Sequence, residues 1–241
     1  MTRASAWLPH APSAAAAGRV FCLPYAGCGA GLFRHWPRQH DSIEFLPVEF
    51  PGRETRLAEP VAGSYEDLAT AMLEALAPYL DVPFAFFGHC WSALAAYEAS
   101  AQLQRAGLPP ARLFVSSQLA PQDGPTGRML EMNDAELADD LGATITALGG
   151  QPHPDLLALY VEVLRADVEV SRRYRRPRPL RLSCPITAFG WTDDDEIRPP
   201  QMTGWQECGD ATFTVFPGDH RRFIAAPPEL LAALAAGLPA R

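Results

Sequence analysis

Short apolar runs and stretches of helical periodicity alternate along this chain. Arg19–Pro24 (RVFCLP) and Ile43–Phe50 (IEFLPVEF) read as strands. Tyr65–Leu80 carries Leu68, Met72, Leu73, Leu76 and Leu80 at helical spacing. Pro83–Phe87 is a short, wholly apolar strand. Trp91–Ala106 is a helix with a small-residue face (Ala93, Ala95, Ala96, Ala99) suited to close packing on a sheet. Arg112–Ser116 (RLFVS) is the next strand. Helical patterns then fill Asn133–Tyr174, divided by Pro152 and Pro154. Strands resume at Cys184–Gly190 and Thr212–Phe216 with a helical pattern between them, and Pro228–Ala236 closes the chain as a helix. This alternation predicts an α/β fold: a mostly parallel central sheet with helices on both faces and a helical lid over its C-terminal edge. The expected organisation is a disordered leader over residues 1–17, then one domain over 18–241 with a lid at about 122–180.

Composition narrows the function. The chain has 241 residues, 48% hydrophobic, with a formal net charge of −8. That balance argues against nucleic acid and membrane surfaces as partners, since both call for a basic face. Every one of the 20 basic residues is arginine. The five cysteines (22, 28, 90, 184 and 208) form no CxxC pair, so neither a metal site nor a disulfide framework is expected. No apolar run approaches the roughly 18–20 residues that span a bilayer. The Pro-interrupted first 17 residues do not read as a signal peptide, and a cytoplasmic location is expected. One segment is charge-biased: Arg172–Arg181 (RRYRRPRPLR) holds six arginines. It reads either as a solvated linker or as a docking patch for an acidic, phosphate-bearing partner.

The chemistry centres on Phe84–Ala93 (FAFFGHCWSA), where an apolar strand ends in Gly88-His89-Cys90 and a helix follows at once. This is the layout of a nucleophile elbow, with a cysteine at the position usually held by serine. A base and an orienting acid are expected later in the chain, in the order nucleophile, acid, histidine. Gly190–Glu196 (GWTDDDE) supplies the acid after its strand, with Asp194 chosen and Asp193 and Asp195 as alternatives. Pro217-Gly218-Asp219-His220 supplies His220 after the next strand. The helix dipole and a neighbouring imidazolium would favour a thiolate at Cys90. One oxyanion donor is expected from the Trp91 backbone N–H, and a second from the loop Tyr25-Ala26-Gly27-Cys28-Gly29. The spacing of that loop is not that of a dinucleotide-binding turn.

Leu23–Ala30 (LPYAGCGA), Pro51-Gly52-Arg53-Glu54 with Arg56, Gly88-His89-Cys90, Leu164-Arg165-Ala166-Asp167, Trp205 and Phe216–His220 resemble, taken together, the motifs of type II thioesterases. These are stand-alone α/β hydrolases that accompany polyketide and nonribosomal peptide synthases. The resemblance covers roughly residues 18–236. It implies an α/β-hydrolase fold with a helical lid and no cofactor. It also implies a monomer whose substrate is an acyl chain held as a thioester on the phosphopantetheine arm of a carrier protein. By motif position Cys90, Asp194 and His220 match the triad, and Ala26 and Trp91 the oxyanion donors. Tyr25 and Trp91 are expected to touch substrate. The sequence departs from the family at Cys90, Trp91, Ser92, Arg221 and Arg222. With a cysteine nucleophile the expected intermediate is an acyl-cysteine, released by cyclisation, transfer or hydrolysis. Two alternatives remain. One is a carrier-independent cysteine-triad hydrolase resembling dienelactone hydrolases; the other is a catalytically silent protein that docks a synthase.

Overall fold

The computed structural model describes residues 5–239; the side chains of residues 147, 155 and 156 are outside that description. Seven strands form one sheet: β1 (Gly18–Leu23), β2 (Gln39–His40), β3 (Ile43–Pro47), β4 (Phe84–His89), β5 (Arg112–Ser116), β6 (Ile186–Trp191) and β7 (Ala211–Phe216). Their spatial order is β2-β3-β1-β4-β5-β6-β7. All neighbours are parallel except β2 and β3. The mostly parallel sheet flanked by helices is the α/β-hydrolase architecture.

The strands are buried apolar runs rather than alternating ones, as a doubly covered parallel sheet requires. β1 and β4 are buried at every position. β7 differs, because it is an edge strand exposed over most of its length. Proline sets several element ends. β3 stops at Pro47 rather than running on to Phe50. The first helix, α1 (Tyr65–Leu76), gives way to a 3-10 turn over Ala77–Tyr79 that contains Pro78. The two-residue β2, too short to show a pattern, was not predicted.

Helix α2 (Trp91–Arg105) packs on β4, β5 and β1 through its small-residue face, and α1 packs on α2. Between β5 and β6 lie the two helices of the insertion, α3 (Asp134–Ala147) and α4 (Pro154–Arg173), packed against each other. An Asn133–Glu136 capping box starts α3, and Pro154 opens α4 at a position where its missing N–H costs nothing. A short α5 (Trp205–Cys208) precedes β7, and α6 (Pro228–Ala236) ends the fold.

The expected disordered leader is corrected for residues 5–17; residues 1–4 lie outside the described residues. Leu8 is fully buried and Trp7 nearly so. Trp7 meets Phe50 edge-on, lies under the Arg56 guanidinium at 4.3 Å, and its carbonyl accepts the Glu49 N–H at 2.8 Å. Low-complexity composition suggested disorder, but one tryptophan and one leucine supply enough apolar surface to fix the segment on the core.

The sheet order places the functional edge. From β1 the chain moves outward to β3, then crosses back to β4 on the other side of β1. This reversal opens a crevice at the carboxyl ends of β1 and β4. Leu23 is level with Gly88 and His89 with Ser116, so the segments that follow β1, β4 and β5 emerge side by side.

Candidate active site

Cys90 stands at the apex of the turn from β4 to α2, with φ 52° and ψ −122°, a strained conformation for a residue with a side chain. Gly88 permits the turn, because a Cβ there would lie 2.4 Å from the Ser92 carbonyl oxygen. Ser92 Oγ accepts the His89 N–H and donates to the Leu23 carbonyl, both at 3.0 Å, which ties the elbow to the end of β1. The Cys90 N–H donates to the Ser116 carbonyl at 2.8 Å. Half-buried Cys90 lines a cavity of about 30 Å³ together with Ala26, Trp91, Met129, Ser171 and Glu196.

Asp194 and His220 meet beside this turn. His220 Nδ1 lies 3.0 Å from Asp194 Oδ2. Asp194 also accepts the Ser117 hydroxyl at 2.6 Å and the backbone N–H groups of Glu196 and Ile197 at 2.9 and 3.0 Å. Its neighbours Asp193 and Asp195 are exposed. Burial works against a charged Asp194. Even so, the hydrogen bonds from His220, Ser117 and Ile197 and the charge of His220 hold its carboxyl well below the usual range. Burial likewise opposes a charged His220, but Asp194, then Cys90 and Glu196, push its pKa up to about 10. His220 Nε2 is buried beside the elbow. Glu196 Oε1 lies 3.7 Å from it, itself held by Arg128 at 2.6 Å.

The pair has a pH signature. His220 is raised above its unfolded value near 6.5, so its contribution to stability is full below that pH and lost as pH rises through about 10. Asp194 is depressed, so its contribution is present above about 3.8 and lost on acidification. The stability gap between the protein and His220→Ala should be widest between pH 3.8 and 6.5 and shrink towards pH 10. Denaturant unfolding at a series of pH values measures it; a gap that widens above pH 7 contradicts the assignment.

His89 points into the sheet, away from the apex. Its Nδ1 is 2.9 Å from Ser116 Oγ, which also accepts the Trp191 indole N–H at 3.1 Å. The His89 ring stacks on Phe223 at 3.9 Å and meets His220 edge-on at 4.7 Å. Burial, and then the His220 charge, push its pKa well down, so it is a neutral imidazole.

The loop after β1 is held from the insertion. Buried Asp167 of α4 accepts the Gly27 N–H at 2.8 Å and pairs with buried Arg53. The Asp167 carbonyl accepts the Trp91 indole N–H at 2.8 Å. Gly27, at φ +70°, lies against Leu164. One carboxylate thus joins three of the sequence segments singled out above: the Gly-rich loop, Pro51–Glu54 and Leu164–Asp167. Tyr25 is buried at 5.9 Å from the His220 ring, its hydroxyl without a partner among the described residues. The Trp91 ring packs on Tyr65 at 5.1 Å.

Sequence reasoning missed Ser116, Ser117, Glu196, Arg128 and Asp140. The available signal was positional: Ser116 and Ser117 stand at the C-terminal end of β5, beside the elbow strand. Arg221 had registered as a departure from the family, and it pairs with Asp140 of α3. Among the described residues no cluster of side chains could hold a metal ion, and no helix is long and apolar enough to cross a membrane.

Residues 18–237 match the family described as Thioesterase domain. The gramicidin S biosynthesis protein GrsT of Aneurinibacillus migulanus is 32% identical over 91% of this chain and 89% of its own. RedJ, the thioesterase from the prodiginine pathway of Streptomyces coelicolor, is 35% identical with a TM-score of 0.77, covering 98% of this chain and 94% of its own. BorB, a type II thioesterase from the borrelidin cluster, has a TM-score of 0.82 at 27% identity, covering 98% of this chain and 99% of its own.

These findings correct the cysteine reading of family, function and enzyme class. The hydroxyl, imidazole and carboxylate contacts of a serine-type set are present, Ser116 with His89 and Ser117 with Asp194. RedJ and BorB are both described as thioesterases. A serine-type set of hydroxyl, imidazole and carboxylate replaces the cysteine reading: Ser116 contacts His89, and Ser117 contacts the Asp194 that holds His220. A cysteine nucleophile and an acyl-cysteine intermediate are set aside. The family itself stands: this chain belongs to the thioesterase domain family.

Proposed function

We propose that this protein is a type II thioesterase that frees acyl or peptidyl chains from the phosphopantetheine thiol of a carrier protein during polyketide or nonribosomal peptide assembly. The relatives support the substrate class: GrsT is a gramicidin S biosynthesis protein, and BorB belongs to the borrelidin biosynthetic cluster. The observation that carries the reading is the Asp194–His220 pair at the sheet's C-terminal edge, with the buried His220 Nε2 beside the elbow.

His220 and Asp194 are the proposed base and its orienting acid, beside the turn at Cys90. Cys90 marks the apex where the thioester carbonyl sits. The Ala26 and Trp91 backbone N–H groups receive the developing oxyanion. His220, held in its charged form by Asp194, gives a proton to the departing pantetheine sulfur as the C–S bond breaks and regains one from the attacking water. Asp194 fixes the ring and its tautomer. The sum is thioester plus water giving acid plus thiol. Tyr25 and the Trp91 ring bound the acyl chain. Such work places the protein in the cytoplasm with the synthase.

The test is intact-mass measurement of an acyl-loaded carrier protein after mixing with the enzyme. Conversion to free-thiol carrier and free acid is expected. A carrier that stays loaded, while small lactones are hydrolysed, contradicts the proposal.

A further inference from the structure

The six arginines of Arg172–Arg181 have no part in the chemistry above. They are not a loose linker. Arg176 turns inward and pairs with fully buried Glu98 of α2 at 2.6 Å and with Glu66 of α1 at 3.2 Å. The Tyr174 hydroxyl donates to the same Glu98 at 2.6 Å. This anchor pins the segment to the core and leaves Arg172, Arg173, Arg175, Arg178 and Arg181 exposed. Among the described residues only Glu169 pairs with any of those five, taking Arg172 and Arg173. The result is a positive patch, held in place, on a chain of net charge −8.

Its position matters as much as its charge. Ser171, next in the chain to Arg172, lines the small cavity that holds Cys90. Arg172 Nε donates at 3.1 Å to the carbonyl of Leu130, another residue of that cavity. Arg173 and Arg175 wall a cleft of about 180 Å³ together with Ser64 and Tyr65. On the His220 side the surface has the opposite sign. The cleft there is lined by Asp140, Asp193, Asp195, Glu196 and Asp219, and its two arginines, Arg128 and Arg221, are already paired with Asp140 and Glu196. A phosphate is repelled from that mouth and attracted to the arginine side. Guanidinium groups suit a phosphate by geometry as well as by charge.

We propose that the arginine patch of Arg172–Arg181 is the docking surface for an acidic carrier protein, and that it receives the phosphate of the pantetheine arm as the thioester enters beside Cys90. This rests on the thioesterase reading above and names where its partner binds.

The test replaces Arg173, Arg175 and Arg178 by glutamate together and leaves Arg172 to support Leu130. Two substrates are compared: an acyl chain on its carrier protein, and the same chain on N-acetylcysteamine, which has no phosphate and no protein. KM for the loaded carrier should rise about tenfold or more, while turnover of the small thioester stays at the wild-type level. Added salt should weaken carrier binding to the wild type and change the variant little. An unchanged carrier KM overturns the proposal, as does an equal loss on both substrates. Should the wild type hydrolyse neither substrate, the thioesterase reading is what fails. The dissociation constant of the pantetheine-bearing carrier then decides the docking claim by itself: weaker binding to the variant supports it, and equal binding overturns it.

Discussion

Replacing His220 by alanine is expected to slow release of a carrier-bound acyl chain about 10²- to 10⁴-fold, with little change in KM for the loaded carrier. The expectation follows from position. His220 is 4% exposed, its Nδ1 is held by Asp194, and Cys90 at the elbow is among the groups that raise its pKa. A buried imidazole beside the elbow is where a proton can move between attacking and leaving groups. Asp194→Asn should lose activity on a similar scale, because an amide cannot stabilise the imidazolium or fix its tautomer. Steady-state kinetics on the loaded carrier measure both. A His220→Ala protein within a few-fold of wild-type turnover contradicts the assignment.

Asp167→Ala is expected to destabilise the fold by about 3–5 kcal/mol, because it leaves the Arg53 guanidinium buried without its counter-charge. The same change releases the Gly27 N–H and so loosens the loop that carries Ala26. Activity should therefore fall even where the variant remains folded, through kcat more than KM. Denaturant unfolding and kinetics on a small thioester separate the two effects. A cost under about 1 kcal/mol shows that water replaces the carboxylate and that the buried pair does not organise the loop.

How far the sequence disclosed this structure depended on the range of the interaction. Buried parallel strands are continuous apolar runs, so β1, β4, β5 and β6 were legible from single segments. The elbow was legible because glycine is required at position 88, where any side chain meets the Ser92 carbonyl. The ends of β3 and α1 were misjudged where Pro47 and Pro78 outweighed a continuing apolar pattern. The leader was misjudged because composition does not show a docking site for Trp7 formed by Phe50 and Arg56. At the site, three acidic residues in a row looked alike in one dimension. Only the fold distinguishes Asp194, which turns inward to Ser117, His220 and two backbone N–H groups, from its exposed neighbours. The contacts of Ser116, Ser117, Glu196 and Asp140 cross from one strand end or loop to another, so no local spacing announces them. The cysteine at the elbow was conspicuous in the sequence. The hydroxyl network around His89 was not, and that imbalance drew the chemistry towards a thiol.

The most direct measurement is the mass of an acyl-loaded carrier protein incubated with wild-type protein and, in parallel, with His220→Ala. The account predicts that wild type strips the acyl group, leaving the free pantetheine thiol and releasing the acid, while the variant leaves the carrier loaded on the same timescale. Equal stripping by both, or none by the wild type, contradicts it.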